Sequence, residues 1–384
     1  MLSWDMLRRF RMPYVRPALH RLVLLALPAL LLAATGAARA QTPPPVPGVL
    51  NVFGWPGFID QRILDRFSKE AGVPVQYDTY TNLPFLEATM ALGRTGYDII
   101  MPTNEPTFSR LVEEGQLAVI DRARVPNWDS LDPALMRWVE PADPGNRHGA
   151  IYLWGTFGLG VTPDRLPADA PRDSLDLILE PRHAARMADC GITMLDSPTV
   201  VVPAVLRYLG LPPDSEDPSD LAAVERTLMA IRPYISAFSI SSAMEVLATG
   251  ESCLAMAYSG NVMQAAKLAE TAGEGHGVAF IQPAEGAQVT FDMLAIPVDA
   301  PDKEAAHAFI DFMLRPEIIA EATNLTRYAN AVPASRPMVD PDLSEDPAIY
   351  PPPERMATFF TPSSLDPANK MSRNRMWARF KSGS

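Results

Sequence analysis

The sequence predicts an α/β protein of two lobes, and three observations predict it. Short apolar runs alternate with amphipathic helical patterns from residue 49 to residue 115. A long glycine-containing apolar stretch at 150–163 interrupts that alternation, and beyond it the alternation restarts with new runs. A chain of 384 residues that is 47% hydrophobic has enough apolar surface for a large core, and its length favours two domains over one.

Each element has its own reason. "VLNVFGW" at 49–55 reads as a buried strand, and Pro56-Gly57 is a turn signal that leaves Trp55 at the strand's carboxyl end. "DQRILDRFSKEAG" places Ile63, Leu64 and Phe67 on one helical face and stops at Gly72. The strand-like "VPVQYDTY", the helical "PFLEATMALG", the apolar "YDIIMPT" and the helical "PTFSRLVEEG" complete a β-α-β-α-β-α string, which implies a parallel sheet with helices on its faces. "AIYLWGTFGLGVTP" is long and extended. Its three glycines stand in the wrong order for a dinucleotide loop and no helix start follows, so it reads as a crossing strand. The strand "ITMLDSP", helices over 198–209 and 220–233, the strand "CLAMAYSG" and the helix "NVMQAAKLAET" form the second α/β unit. "VTFDMLAIPVDA" is again a strand, 302–324 is helical with a break at Pro316, and the proline-rich tail reads as loop and short helix.

At the amino end, Arg8, Arg9, Arg11, Arg16 and Arg21 flank the apolar run Leu22 to Ala34, which closes on the A-x-A site Ala38 to Ala40. Residues 1–40 are therefore expected to be a secretory signal peptide, too short in its apolar core for a stable membrane span, and 41–48 a proline-rich leader. Cleavage would remove six arginines and one aspartate, leaving 27 basic against 44 acidic side chains and a net charge of −17 in place of −12. That balance disfavours nucleic acid and anionic membrane surfaces and suits cationic ligands. Cys190 and Cys253 are the only cysteines, and an even count in an exported chain predicts one disulfide.

No catalytic constellation is visible. The histidines His148, His183, His276 and His307 are scattered without metal-ligand spacing, and "YSGN" lacks the flanking glycine of a nucleophile elbow. No metal or cofactor is called for. What remains are aromatic and polar residues at strand ends, where open parallel sheets gather ligands: Trp55 and Phe58, Thr103 to Glu105, Tyr258 and Asn261, and Asp292. Asp292 stands out, because a carboxylate between "VTF" and "MLAIP" is costly to bury without a cationic partner; that partner is either an internal one or a ligand. Trp55 reads either as interlobe packing or as a ligand platform, Asp196 with Ser197 and Pro198 as a helix cap, and Tyr97 as core.

Read in order, "NVFGWPGFI", "YDIIMPT", "AIYLWGTFGLGV", "LDSP", "SCLAMAYSGNVMQA", "FDMLAIPVDA", "FMLRPE", "RYANA" and "IYPP" resemble the periplasmic polyamine-binding proteins of ABC importers, and most of all their putrescine-binding branch. The resemblance implies a type II periplasmic binding protein fold, with a mostly parallel sheet flanked by helices in each lobe and strands crossing between them. It implies lobe 1 from 49–155 and 285–335, and lobe 2 from 156–284 with a carboxyl-terminal part at 336–384. It also implies an amine or polyamine ligand, an inner-membrane ABC permease as partner, a periplasmic monomer and no enzymatic activity, and it pairs the two cysteines.

Carried over residue by residue, it assigns ligand contacts to Trp55, Phe58, Tyr258, Asp292 and Tyr328, with Pro56 beside the first tryptophan. Three carboxylates of the pattern are lost, at Gly57, at Thr199 to Val200 and at Asn261, while Glu105 replaces a serine. A retained cation site at Asp292, assisted by Glu105, and a weakened or neutral far site near Asn261 are the expectation. A sensory amine receptor, or a lyase or hydrolase on the same scaffold, are the competing expectations.

Overall fold

In the computed structural model the described residues are 48–362 and 365–383. The expected signal peptide and nearly all of the leader lie outside them. The strands are β1 (Leu50–Gly54), β2 (Val75–Thr79), β3 (Ile99–Ile100), β4 (Gly149–Val161), β5 (Ile192–Leu195), β6 (Ala237–Ser239), β7 (Leu254–Tyr258), β8 (Ala279–Ile281), β9 (Val289–Ala295) and β10 (Ala329–Asn330). They form one sheet path in the order β2-β1-β3-β9-β4-β7-β5-β6, with β8 and β10 also pairing with β4.

Local sequence explains the helices that frame it. Helix α1 (Gln61–Ala71) starts where the Asp60 carboxylate accepts from the Arg62 amide and ends on Gly72 in the left-handed region, with Ile63, Leu64 and Phe67 buried as its periodicity predicts. Helix α2 (Pro198–Tyr208) opens on a proline. Helix α3 (Ser259–Ala272) starts directly after β7, and α4 (Lys303–Met313) and α5 (Pro316–Thr326) are separated at the predicted proline. The segment expected to be helical from 106 instead begins as a π-type turn over Asn104–Phe108, and a regular helix follows only over Ser109–Glu113.

Strand β4 organises the molecule. All thirteen of its residues are buried. Its first part pairs antiparallel with β9, from Gly149 opposite Ala295 to Thr156 opposite Val289, and its last part pairs antiparallel with β7, from Phe157 opposite Tyr258 to Val161 opposite Leu254. One core gathers residues from Leu50 to Trp154 and from Ala287 to Phe359. A second runs from Phe157 to Ile281 and takes in Met376, Trp377 and Phe380 of the last helix, α6 (Pro367–Ser382). These are two α/β lobes joined through β4. The carboxyl-terminal stretch expected wholly in lobe 2 divides: Val339, Leu343, Ile349 and Phe359 pack in the first core, where Arg327 pairs with Asp340 and Asp342.

Directions follow from the pairing. Strands β1 to β3 run antiparallel to β9 and hence along β4, whereas β5, β6 and β7 run against it. The carboxyl ends of the two parallel sets therefore point toward one another across the middle of β4. Cys190 and Cys253 form a disulfide with a Cα–Cα distance of 5.6 Å, tying the lead-in to β5 to the start of β7.

Candidate functional site

Asp292 sits within β9, all seven residues of which are buried. Opposite it the register slips: Ile151 faces Met293 but Leu153 faces Asp292, so Tyr152 is the extra residue of a bulge. Bulges bend a strand and re-aim the side chains beside them. Asp292 is 7% exposed, and its Oδ1 accepts from the Trp55 indole Nε1 at 3.1 Å and from the Thr103 hydroxyl at 3.0 Å. Thr103 reaches it because an isolated antiparallel bridge joins the two residues. Among the described residues Asp292 has no ion pair, so the internal cation offered as one reading of its burial is absent. Burial pushes its carboxyl up to about 7, and the bonds from Thr103 and Trp55 pull it back only in part.

Trp55 leaves β1 at its carboxyl end. Its carbonyl accepts from the Tyr77 hydroxyl at 2.6 Å, and its ring lies 4.5 Å from that of Tyr80, whose own hydroxyl donates to the Met101 carbonyl. Pro56 and Gly57 form the exposed turn that follows, Gly57 with φ +74°. The Phe58 ring is 6.4 Å from Trp55 and 5.6 Å from Tyr328, and its carbonyl accepts from Tyr152, the bulge residue.

Tyr328 crosses to the other lobe. Its hydroxyl donates to Asn261 Oδ1 at 2.9 Å, and its ring lies where a Cβ on Gly260 would stand 2.1 Å from Cδ2. Gly155 of β4 is close to the same ring, with a Cβ there 2.9 Å from Cδ1. Two glycines thus make room for one tyrosine between the lobes. Gln264, further along α3, donates to the Thr326 carbonyl at 2.7 Å. Tyr258 packs against both cores and stacks edge-on to Phe157 at 5.6 Å. Burial raises the hydroxyl groups of Tyr77, Tyr80, Tyr258 and Tyr328, and the charge of Asp292 adds to each.

The structure brings Trp55, Phe58, Tyr328 and Asn261 into one chain of contacts, with Asp292 at one end. Tyr258 is close enough to Asp292 to feel its charge. Pro56 stays at the exposed turn. Glu105 lies in the π-type turn, where its Oε2 accepts from the Ser109 hydroxyl at 2.7 Å. Tyr77 and Tyr80, which position Trp55, were not legible as site residues, because the partners of a strand tyrosine depend on which strand lies beside it. Of the expected cap residues, Pro198 opens α2 as its first residue, while Asp196 departs from that role. The cap position of α2 is Ser197, which makes no side-chain cap bond. Asp196 instead accepts from Trp377 Nε1 at 2.8 Å and from Lys381 Nζ at 2.5 Å.

The comparisons with known proteins agree with this architecture. Residues 62–351 match the bacterial extracellular solute-binding protein family. The putrescine-binding periplasmic protein SpuD of Pseudomonas aeruginosa is 39% identical over 339 residues, 87% of this chain and 92% of that protein. The putrescine-binding periplasmic protein PotF of Escherichia coli is 36% identical over 339 residues, covering 87% and 91%. Among solved structures, the spermidine/putrescine ABC transporter substrate-binding protein PotD of Streptococcus pneumoniae shares the fold, with a TM-score of 0.75 over 87% of this chain and 98% of that one at 24% identity. Among the described residues no helix is long and apolar enough to cross a membrane. By family match, by identity over nearly its whole length and by fold, the chain belongs to the bacterial extracellular solute-binding proteins.

Proposed function

We propose that this protein is the periplasmic receptor of a polyamine-type ABC importer, exported by its signal peptide. It captures a protonated amine between its lobes and delivers it to an inner-membrane permease. The observation that carries this reading is Asp292: a buried carboxylate, oriented by an indole and a hydroxyl, with no cation against it among the described residues. An ammonium group supplies the missing charge, and the Trp55 face attracts a desolvated cation by about 2 kcal/mol. Support also comes from relatives named for putrescine.

Closure follows from the split of the site. Trp55, Phe58 and Tyr328 belong to the first core and Asp292 lies in β9 beside it, whereas Asn261 is in the first turn of α3 of the second lobe and Tyr258 touches both. A ligand touching both groups stabilises the shut form over the open one. Calorimetric titration with a panel of mono-, di- and triamines at pH 8 tests the reading. At least one amine is expected to bind and to be recovered unchanged, and Asp292→Asn should weaken it at least 100-fold, because the ammonium would then be buried unpaired. No binding by any amine, or equal affinity in the variant, would reject the proposal.

A further inference from the structure

The two sides of the cleft differ in charge, and that difference bears on the ligand. This inference rests on the amine-receptor reading. On the lobe 1 side Asp292 presents a carboxylate whose Oδ1 takes both the Trp55 and the Thr103 bonds, leaving Oδ2 without a hydrogen bond among the described residues. Glu105 follows β3 on the same side. On the lobe 2 side the ends of β5, β6 and β7 face it. Within four residues of those ends the only acidic side chain is Asp196, and it is taken by Lys381 and Trp377. The other polar groups there are neutral: Ser197 and Thr199 bond one another at 2.9 Å, the Ser239 hydroxyl accepts from the amides of Ser241 and Ser242, and Asn261 accepts from Tyr328.

We propose that the ligand carries one ammonium, held at Asp292, and that its other end is uncharged and hydrogen-bonding, such as a hydroxyl or amide, and meets the hydroxyl and amide groups of lobe 2. The aromatic rings of Trp55, Phe58 and Tyr328 between the two ends suit a short alkyl spacer. A diamine would bring a second ammonium to strand ends whose one acidic side chain, Asp196, is already paired, and desolvating it there is unfavourable. A hydroxyl exchanges water for protein hydroxyls at little cost. Discrimination against the wrong polar end is therefore expected to be strong.

The test compares 4-amino-1-butanol with 1,4-diaminobutane, which have the same spacer and differ only in the far group. Calorimetry at pH 8 is expected to show the amino alcohol binding at least 10-fold more tightly. Asn261→Asp should raise the affinity of the diamine at least 10-fold while moving that of the amino alcohol less than threefold, with folding checked by circular dichroism. Glu105→Gln, on the lobe 1 side, should leave the ratio of the two ligands within threefold. Tighter binding of the diamine to the unaltered protein, or an Asn261→Asp variant indifferent to it, would overturn the inference while leaving the amine receptor standing. Failure of every amine to bind would instead reject the receptor reading itself.

Discussion

Asp292 and Asp196 form a natural comparison. Asp292 lies in β9 on the lobe 1 side, Asp196 directly follows β5 on the lobe 2 side, and each accepts a hydrogen bond from an indole, Trp55 for one and Trp377 for the other. They differ in the second partner. Asp292 receives a neutral hydroxyl from Thr103, whereas Asp196 receives the Lys381 ammonium. Burial raises Asp292 to about 7, opposed only in part by the neutral Thr103 and Trp55 donors. Burial also acts on Asp196, but the bonds from Lys381 and Trp377 outweigh it and leave that carboxyl below its ordinary value. The lobe 2 aspartate holds α6 to the sheet, whereas the lobe 1 aspartate has no ion-pair partner among the described residues. An indole donor orients a carboxylate; a cation decides whether it is still available.

The largest expected effect concerns what holds the lobe 2 side together. Replacing Cys190 and Cys253 by serine opens a tie with a sequence separation of 63 residues. The loss should be on the order of 4 kcal/mol by chain-entropy reasoning. Denaturant unfolding should show lobe 2 melting earlier while the near-ultraviolet signal of Trp55 persists; simultaneous loss of both would mean the lobes unfold as one unit.

Next comes pH. Between pH 4 and 7 native Asp292 keeps a proton that the unfolded chain has lost, so its contribution is full below the unfolded value of 3.8 and vanishes as pH rises through 7. Raising pH from 5 to 8 should therefore cost the ligand-free protein roughly 2–3 kcal/mol more than it costs Asp292→Asn. Amine affinity should move the other way, weakening up to about tenfold per unit below pH 7. Parallel stability profiles in protein and variant would erase the contrast with Asp196.

Gly260→Ala puts a methyl into the Tyr328 ring. Overpacking of about 1–3 kcal/mol should fall on the closed form, lowering amine affinity roughly 5- to 100-fold with little change in the melting of either lobe. Unchanged affinity would show that this contact forms no part of closure. Smallest is Lys381→Met. Its pair with Asp196 is partly exposed, at 39% and 25%, so stability should drop by no more than about 1 kcal/mol. A larger loss would place Asp196 among the structurally dominant charges of lobe 2.

Much of this was legible before any coordinates. The apolar runs and capping residues placed β1, α1, β4, β7 and β9, because strand and helix periodicities are local properties of the chain. Tyr97 was readable as core and stacks on Phe53 at 4.5 Å. The π-type turn at 104–108 was not readable, since it depends on contacts such as the Phe291 amide donating to Asn104 Oδ1, 187 residues away in sequence. The role of Asp196 was misread for the same reason: Trp377 and Lys381 approach it from the far end of the chain.

By itself the sequence determined the α/β alternation, the crossing strand, the pairing of the only two cysteines and the anomaly of a carboxylate inside an apolar strand. All of these follow from residue order and the cost of burying charge. Only the tertiary structure decided that, among the described residues, no lysine or arginine reaches Asp292 while Lys381 does reach Asp196. Which charges meet depends on how β4 sets the two parallel strand sets end to end, and on where α6 docks after the chain has crossed between the lobes, distances that no local pattern encodes.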